Sequence, residues 1–150
     1  MNEKMNLDKI IWLDTNAIFL YPILKEYTQT QKELGMNYLS LGSLRYDEKY
    51  FVGFVHTDDS NFPIELVSYI QYKMMPNLLV LNYMEVAEKY RGNGLAKVTI
   101  DTFADQAGID INCPAVVTTF SSDGLRANLM DKLKEKLTGD IVETSKRNIR

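Results

Sequence analysis

The segment Leu78–Ala107 constrains the fold most, because three different elements follow one another in it without interruption. An apolar run predicts a strand over Leu78–Val86, and an amphipathic pattern predicts a helix from about Leu95. Between them lies a short loop with two glycines, Arg91-Gly92-Asn93-Gly94. Strand, glycine loop and helix is a recurrent way to hold a phosphate, because the loop and the first helical turn present unpaired backbone N–H groups to one point.

Three strands are predicted to form an antiparallel meander that leads into this glycine loop. Tyr50–His56 and Ile64–Met74 are rich in apolar, β-branched and aromatic residues, and a polar turn separates them. Leu78–Val86 follows a second turn and is mostly apolar on both faces, so we expect a central strand that is covered on both sides. Its polar residues, Asn82 and Glu85, come near the end that meets the loop, where a ligand cleft would form.

Strict alternation of side chains divides the strand Leu78–Val86 between two faces of the sheet. One face is predicted to carry Leu79, Leu81, Tyr83 and Glu85, and the other Leu78, Val80, Asn82, Met84 and Val86. This assignment places Tyr83 and Glu85 on the opposite side of the sheet from Asn82.

The region before the meander predicts a short element followed by a longer helix. The apolar run Lys9–Leu13 suits either an edge strand or the lead-in to a helix, and we favour the strand. Asp14 or Thr15 is the predicted N-cap of a helix that ends at Gly35. Pro22 lies inside that pattern and either kinks the helix or marks the first turn of a second one.

The region after the glycine loop predicts two helices and two strands. The helix that begins near Leu95 ends at Gly108, and Pro114–Phe120 then reads as a buried strand. The segment Ser121–Asp123 caps a further helix, and Ile141–Thr144 reads as a final strand.

Composition narrows the class of protein and the kinds of site it can hold. A length of 150 residues suits a single domain, residues 1–150. The net charge of -3 disfavours nucleic acid as the main partner. One cysteine, Cys113, and one histidine, His56, exclude an internal disulfide, a cysteine-based metal site and a two-histidine metal site. No apolar run of about 18 residues and no signal-peptide core appear, so we expect a cytoplasmic protein with no membrane partner.

The residues around the glycine loop also carry a resemblance to a known family. Val86–Ala96 (VAEKYRGNGLA) resembles the acetyl-CoA-binding signature of the GNAT N-acetyltransferase superfamily, (Arg/Gln)-x-x-Gly-x-(Gly/Ala). Arg91, Gly94 and Ala96 fill its three defined places, and the order of elements from Tyr50 onward agrees with the family fold. The resemblance implies an α/β (α+β) fold, with a mixed central sheet that contains the meander and with helices on both faces. It also allows a homodimer, as in many relatives.

The resemblance implies acetyl-CoA as the cofactor, and the chemistry of the loop suits its pyrophosphate. The helix dipole favours negative charge at this point, and glycine lets the backbone approach a ligand closely. The backbone amides of Gly92, Asn93, Gly94, Leu95 and Ala96 would point at the pyrophosphate, and Arg91 would add a charge-assisted hydrogen bond to it. By resemblance, the pantetheine arm would pair with the backbone of Met84, Glu85 and Val86, where this strand and Pro114–Phe120 splay apart.

The resemblance further implies direct transfer of the acetyl group to an amine of a small molecule or a peptide. The thioester would lie near Asn82–Met84, and the acceptor amine would arrive from the opposite side of the sheet. Glu85 is the candidate general base or else a solvated strand end, and Asn82 and Tyr83 could orient a water. Glu65 and His56 are weaker candidates.

Two alternatives to an active transferase stay open. Met130 falls where the family often has a tyrosine that protonates the leaving thiolate, which also suits a catalytically weak acyl-CoA-binding regulatory module. A third reading is a protein-interaction domain in which the glycine loop is purely structural. Acidic and aromatic residues between positions 14 and 50 would suit a cationic acceptor, and they are equally ordinary on a solvated helix.

Overall fold

The computed structural model describes residues 6–35, 47–58, 64–118 and 123–144. In this part of the chain, six strands form one sheet in the order in which they occur in the sequence. The strands are β1 (Ile11–Asn16), β2 (Lys49–His56), β3 (Ile64–Met75), β4 (Leu78–Val86), β5 (Ala115–Thr118) and β6 (Ile141–Thr144). The helices are α1 (Ala17–Glu33), α2 (Leu95–Gln106) and α3 (Asp123–Lys136).

Strands β1 to β4 pair antiparallel with one another, whereas β4, β5 and β6 are parallel neighbours. The sheet is therefore mixed, and the predicted meander corresponds to β2, β3 and β4. The predicted bounds of β4 agree with the structure at both ends, and β3 begins at Ile64 as expected. The mixed α/β fold is thus confirmed, with the short final strand included.

The helices cover both faces of the sheet, as predicted. On the face that we call the α1 face, Ala17 and Leu24 of α1 pack against Tyr50 and Tyr69. The opposite face, which we call the α2/α3 face, carries the larger core cluster. In that cluster, side chains of α2 and α3 such as Phe103 and Leu133 pack on Phe51, Ile70 and Leu81.

The N-terminal element is the edge strand β1, so the strand interpretation is confirmed and the predicted helix N-cap is wrong. Asp14 and Thr15 lie within β1, and α1 begins at Ala17 with Asn16 as its N-cap residue. The physical reason is that the Asp14 carboxylate is bound across the sheet. It accepts hydrogen bonds from Lys49 Nζ at 2.8 Å and from the Tyr72 hydroxyl at 2.6 Å.

Helix α1 runs without a break through Pro22, so the proline does not start a second helix. The helix ends just before Gly35, which has a left-handed φ of 73°, as its predicted stop requires. Likewise α2 ends before Gly108, whose φ is 70°. Among the described helices, none is long and apolar enough to cross a membrane.

Strand β4 contains a bulge at Asn82, and the strict alternation predicted for this strand is therefore wrong. Tyr72 of β3 pairs with Leu81, but the preceding Gln71 pairs with Tyr83, which leaves Asn82 as the extra residue. Beyond the bulge, the odd-numbered and even-numbered residues of β4 exchange faces of the sheet. Leu79 and Leu81 therefore share the α2/α3 face with Met84 and Val86, whereas Tyr83 and Glu85 lie on the α1 face with Tyr69.

Trp12 closes the edge of the sheet on the α2/α3 face. Its ring stacks on Phe51 with centroids 5.4 Å apart and planes inclined by 10°. A Cβ at Gly53 would come within 2.6 Å of the same ring, so only glycine allows this contact. Parts of three predictions lie outside the described residues, namely the turn after Asp58, the last two residues of the predicted strand Pro114–Phe120, and the cap at Ser121-Ser122.

Candidate functional site

The glycine loop joins the end of β4 to the start of α2 by a tight path. After β4 the chain makes one 3-10 turn, Glu88–Tyr90, and then passes through two glycines in left-handed conformation. Gly92 has a φ of 89° and Gly94 a φ of 75°, which residues with a Cβ rarely adopt. A Cβ at Gly94 would meet no atom within 4 Å, so the loop faces open space at this point.

Two side chains of the loop hold its backbone in place. Arg91 Nε donates to the Val86 carbonyl at 3.0 Å, and Asn93 Nδ2 donates to the Tyr90 carbonyl at 2.9 Å. Arg91, which the sequence assigns to the pyrophosphate, therefore also fixes the loop to the last residue of β4. Arg91 is exposed, but its Nε is anchored at the mouth of the loop.

The start of α2 is suited to negative charge. Its N-cap is Gly94, and within the described residues no side chain caps the first turn, which carries no acidic residue. The N–H groups of the first turn have no partner in the helix itself, and the helix dipole puts partial positive charge there. Leu95 is buried and Ala96 partly buried, which holds the helix start firmly on the sheet.

Among the described residues, β4 and β5 stop pairing directly before the bulge. Their register runs from Leu79 with Ala115 to Leu81 with Val117, and β5 ends one residue later at Thr118. β4 continues for five more residues, to Val86. The gap lies at the position predicted for a pantetheine arm, and the role of Met84, Glu85 and Val86 in binding it stays a prediction. Met84 and Val86 are buried, while Glu85 is partly exposed.

The bulge residue Asn82 links β4 to β5 and to the residue directly before β2. Its Nδ2 donates to Glu48 Oε2 at 2.5 Å, and its Oδ1 accepts from the Thr118 hydroxyl at 3.3 Å. Glu48 is only 3% exposed, and Thr118 is also buried. The carboxylate of Glu48, which directly precedes β2, therefore lies beside the residue where the thioester was predicted.

Three tyrosines from adjacent strands form a row on the α1 face, which we call the tyrosine row: Tyr50, Tyr69 and Tyr83. Tyr50 meets Tyr69 edge-on, and Tyr69 stacks on Tyr83, with ring centroids 5.8 Å apart in both pairs. Tyr50 and Tyr69 are fully buried, whereas Tyr83 is partly exposed. The row therefore runs from the core of the sheet to the open end of β4.

The hydroxyl of Tyr50 is buried and accepts or donates no hydrogen bond within the described structure. Burial, together with the nearby Tyr21 and Glu48, raises the pKa of Tyr50 far above its usual value, so the hydroxyl keeps its proton at neutral pH. A buried polar group without a partner costs about 1–3 kcal/mol. A polar group of a bound ligand would supply the missing hydrogen bond and so remove this cost.

The predicted catalytic residues come together only in part. Tyr83 belongs to the tyrosine row, and Glu85 lies opposite Tyr69 on the same face of the sheet. Asn82, by contrast, turns to Glu48 and Thr118 because of the bulge. The sequence places Glu48 only among the acidic residues of positions 14–50 that would suit a cationic acceptor, and it does not predict the contact with Asn82.

The weaker candidates are engaged elsewhere or exposed. Glu65 accepts hydrogen bonds from Lys89 Nζ at 3.2 Å and from the Tyr90 hydroxyl, so it ties β3 to the segment before the glycine loop. His56 is exposed at the far end of β2 from Glu48. Met130 is only 9% exposed and packs in the core of the α2/α3 face.

Other acidic residues of the predicted acceptor region are paired away from the gap. Asp47 forms an ion pair with Lys73 at 2.5 Å, and Glu33 accepts from Gln29 at 3.2 Å. Tyr38 and Tyr46 lie outside the described residues. Of this region's described carboxylates, Glu48 is the one hydrogen-bonded to Asn82.

A separate cavity of about 170 Å³ lies on the α1 face. Hydrophobic side chains line it, together with one tyrosine: Leu13, Leu20, Ile23, Leu24, Tyr27, Val52, Phe54, Ile64 and Leu66. It offers no charged group, so it suits neither a phosphate nor an amine. The candidate site is instead the gap between β4 and β5.

Comparison with known proteins gave no matching family model and no matching curated protein. Among solved structures, the chain is similar to an aminoglycoside acetyltransferase from an uncultured soil metagenomic sample in complex with trehalose. The identity is 12%, the TM-score is 0.46, and the match covers 87% of this chain and 88% of that chain. The structure of that enzyme with sisomicin gives 12% identity, a TM-score of 0.46, and coverage of 86% and 88%.

A third solved structure is a ribosomal-protein-alanine N-acetyltransferase from Brucella melitensis biovar Abortus 2308. Its identity to this chain is 16% and its TM-score is 0.41, and the match covers 92% of this chain and 81% of that chain.

Proposed function

We propose that this protein is an acetyl-CoA-dependent N-acetyltransferase that passes an acetyl group directly to an amine of a small molecule or a peptide. One observation carries the proposal: a gap beside β4 and an anion-suited glycine loop meet at the same end of that strand. A cofactor with a pyrophosphate and an extended arm needs both features at adjacent places.

The residues present fit such a cofactor. Left-handed Gly92 and Gly94, the open space at Gly94 and the uncapped start of α2 form a cradle for phosphate oxygens. Arg91 adds a positive charge at the mouth of the loop. The backbone of Met84–Val86, beyond the end of β5, would hold the pantetheine arm. Bound acetyl-CoA supplies an acetyl group activated as a thioester.

The chain must also provide for the acceptor amine, which reacts only when it is neutral. For a lysine-type amine with a pKa of about 10.4, deprotonation at pH 7 costs roughly 4.6 kcal/mol. A proton acceptor at the gap therefore matters, and Glu85 fits this role, with Asn82 and Tyr83 orienting a water. An α-amine, with a pKa of about 7.7–8.0, costs only about 1 kcal/mol and needs less help.

Met130 favours a second candidate function, a catalytically weak acyl-CoA-binding module that regulates a partner. A thioether buried in the core cannot donate a proton to a leaving thiolate at this position. Turnover separates the two functions. We expect thiol release from acetyl-CoA in the presence of a panel of amines, whereas a regulatory module would bind acetyl-CoA without releasing thiol.

Calorimetric titration with acetyl-CoA tests the cofactor site directly. We expect Arg91→Glu to abolish binding through charge repulsion, and Gly94→Trp to abolish it by filling the cradle. Gly108→Trp is the matched control, because Gly108 ends the same helix with a similar φ of 70° and equally open space. Binding that survives Gly94→Trp, or that Gly108→Trp abolishes equally, would overturn the assignment of the loop.

A further inference from the structure

Polar side chains gather on the α1 face at the point where β4 and β5 stop pairing. Glu48, Gln71 and Thr118 are three of the buried polar residues of the described structure, and the Tyr50 hydroxyl joins them. Glu48 and Thr118 both bond to Asn82, which places this group directly beside the gap. Buried polar side chains are normally hydrogen-bonded, so this cluster suits a polar or charged ligand.

The hydroxyl of Tyr50 indicates which kind of ligand the cluster suits. Tyr50 is 0% exposed, its oxygen finds no hydrogen-bond partner among the described residues, and the charge of Glu48 acts on it. A phenolic oxygen can both donate and accept, while a carboxylate accepts only. A group with several N–H donors would therefore satisfy Tyr50 and bind Glu48 together.

We propose that Glu48 and the tyrosine row form the subsite that binds the ammonium group of the acceptor, a primary alkylamine. This inference rests on the proposed function, but it uses none of the residues assigned to acetyl-CoA through the glycine loop. The amine would lie beside Asn82, on the side of β4 that faces α1.

The charge and shape of the subsite select a cation. Glu48 supplies a buried negative charge, and the faces of stacked tyrosines attract cations as well. Tyr83 and Glu85 are partly exposed, so the row has an open end through which an alkyl chain can leave. An anionic ligand would meet two carboxylates, and an alcohol of the same length would gain no charge interaction with them.

Titration calorimetry of the whole protein tests the subsite, with n-butylamine as probe and n-butanol as uncharged control, with and without coenzyme A present. We expect the amine to bind and the alcohol not to bind over the same concentration range. Glu48→Gln keeps an acceptor for Asn82 but removes the charge, and Tyr50→Phe removes only the hydroxyl. Each should weaken amine binding about tenfold or more.

Two controls separate this subsite from general effects on the fold. Tyr72→Phe removes a buried hydroxyl bonded to Asp14 on the opposite face, and Glu33→Gln removes an exposed carboxylate. Both should leave amine binding within about twofold of the wild type. Tyr50→Phe should also leave acetyl-CoA binding within about twofold, since it does not touch the loop.

The outcomes also distinguish the subsite from the proposed function. If the wild type binds no amine, binds alcohol equally well, or binds amine unchanged after Tyr50→Phe, the subsite is wrong. If amine binding depends on Glu48 and Tyr50 but acetyl-CoA does not bind, the subsite stands and the transferase proposal falls.

Discussion

At the scale of single residues, two buried tyrosines of adjacent strands have opposite surroundings. The Tyr72 hydroxyl donates to Asp14 at 2.6 Å, whereas the Tyr50 hydroxyl has no hydrogen-bond partner in the described structure. Removing a satisfied hydrogen bond and removing an unsatisfied hydroxyl have different costs, because only the first leaves a buried partner behind. The two residues thus form a matched pair for measurement.

We predict that Tyr72→Phe lowers the free energy of unfolding by about 1.5–3 kcal/mol, the range for hydrogen bonds to charged groups. Tyr50→Phe should change it by less than about 0.5 kcal/mol or raise it, since no bond is lost. Urea denaturation of both variants measures the difference. A loss after Tyr50→Phe as large as that after Tyr72→Phe would mean that the Tyr50 hydroxyl is bonded in solution.

At the scale of elements, the sequence predicted what depends on local pattern. The bounds of β4, the start of α2 near Leu95 and the stop at Gly108 follow from apolar spacing and glycine position. The bulge at Asn82 could not be predicted, because it arises from the register between β3 and β4 and leaves no local mark. The contact of Glu48 with Asn82 could not be predicted for the same reason, since it joins residues 34 positions apart.

Pro22 is a second element-scale feature, because it lies within the continuous helix α1 on an exposed position. Proline removes one helix hydrogen bond and crowds the preceding turn. We predict that Pro22→Ala raises the free energy of unfolding by about 1–2 kcal/mol, since the gain in the helix exceeds the entropy that proline removes from the unfolded chain. Chemical denaturation measures this gain.

Lys25→Ala is the matched control for the proline, because Lys25 is also exposed on α1. It should change stability by no more than about 0.5 kcal/mol. A destabilised Pro22→Ala protein would show instead that the helix depends on the geometry that proline imposes.

At the scale of the whole molecule, Phe103 joins α2 to the sheet and so supports the glycine loop at the start of that helix. It is fully buried and meets Tyr72 and Phe51 with ring centroids 4.7 Å and 5.6 Å away. Helix α2 therefore connects the core of the α2/α3 face to the candidate site. We expect that loss of core packing at Phe103 also disturbs the glycine loop at the start of this helix.

We predict that Phe103→Ala lowers the free energy of unfolding by about 3–5 kcal/mol, as large-to-small core substitutions do. Phe19→Ala is its control, because Phe19 is 69% exposed and should change stability by no more than about 0.5 kcal/mol. Thermal or urea unfolding measures both. If both substitutions lowered the free energy of unfolding equally, Phe103 would not be a core residue.

Trp12 is the one tryptophan of the chain, and it lies on the outermost strand of the sheet. Because the partly exposed indole stacks on Phe51 and lies against Gly53, detachment of β1 would transfer the buried side of the ring into water. Intrinsic fluorescence of the unlabelled protein therefore reports fraying of this single edge strand, separately from loss of the central strands that hold the candidate site.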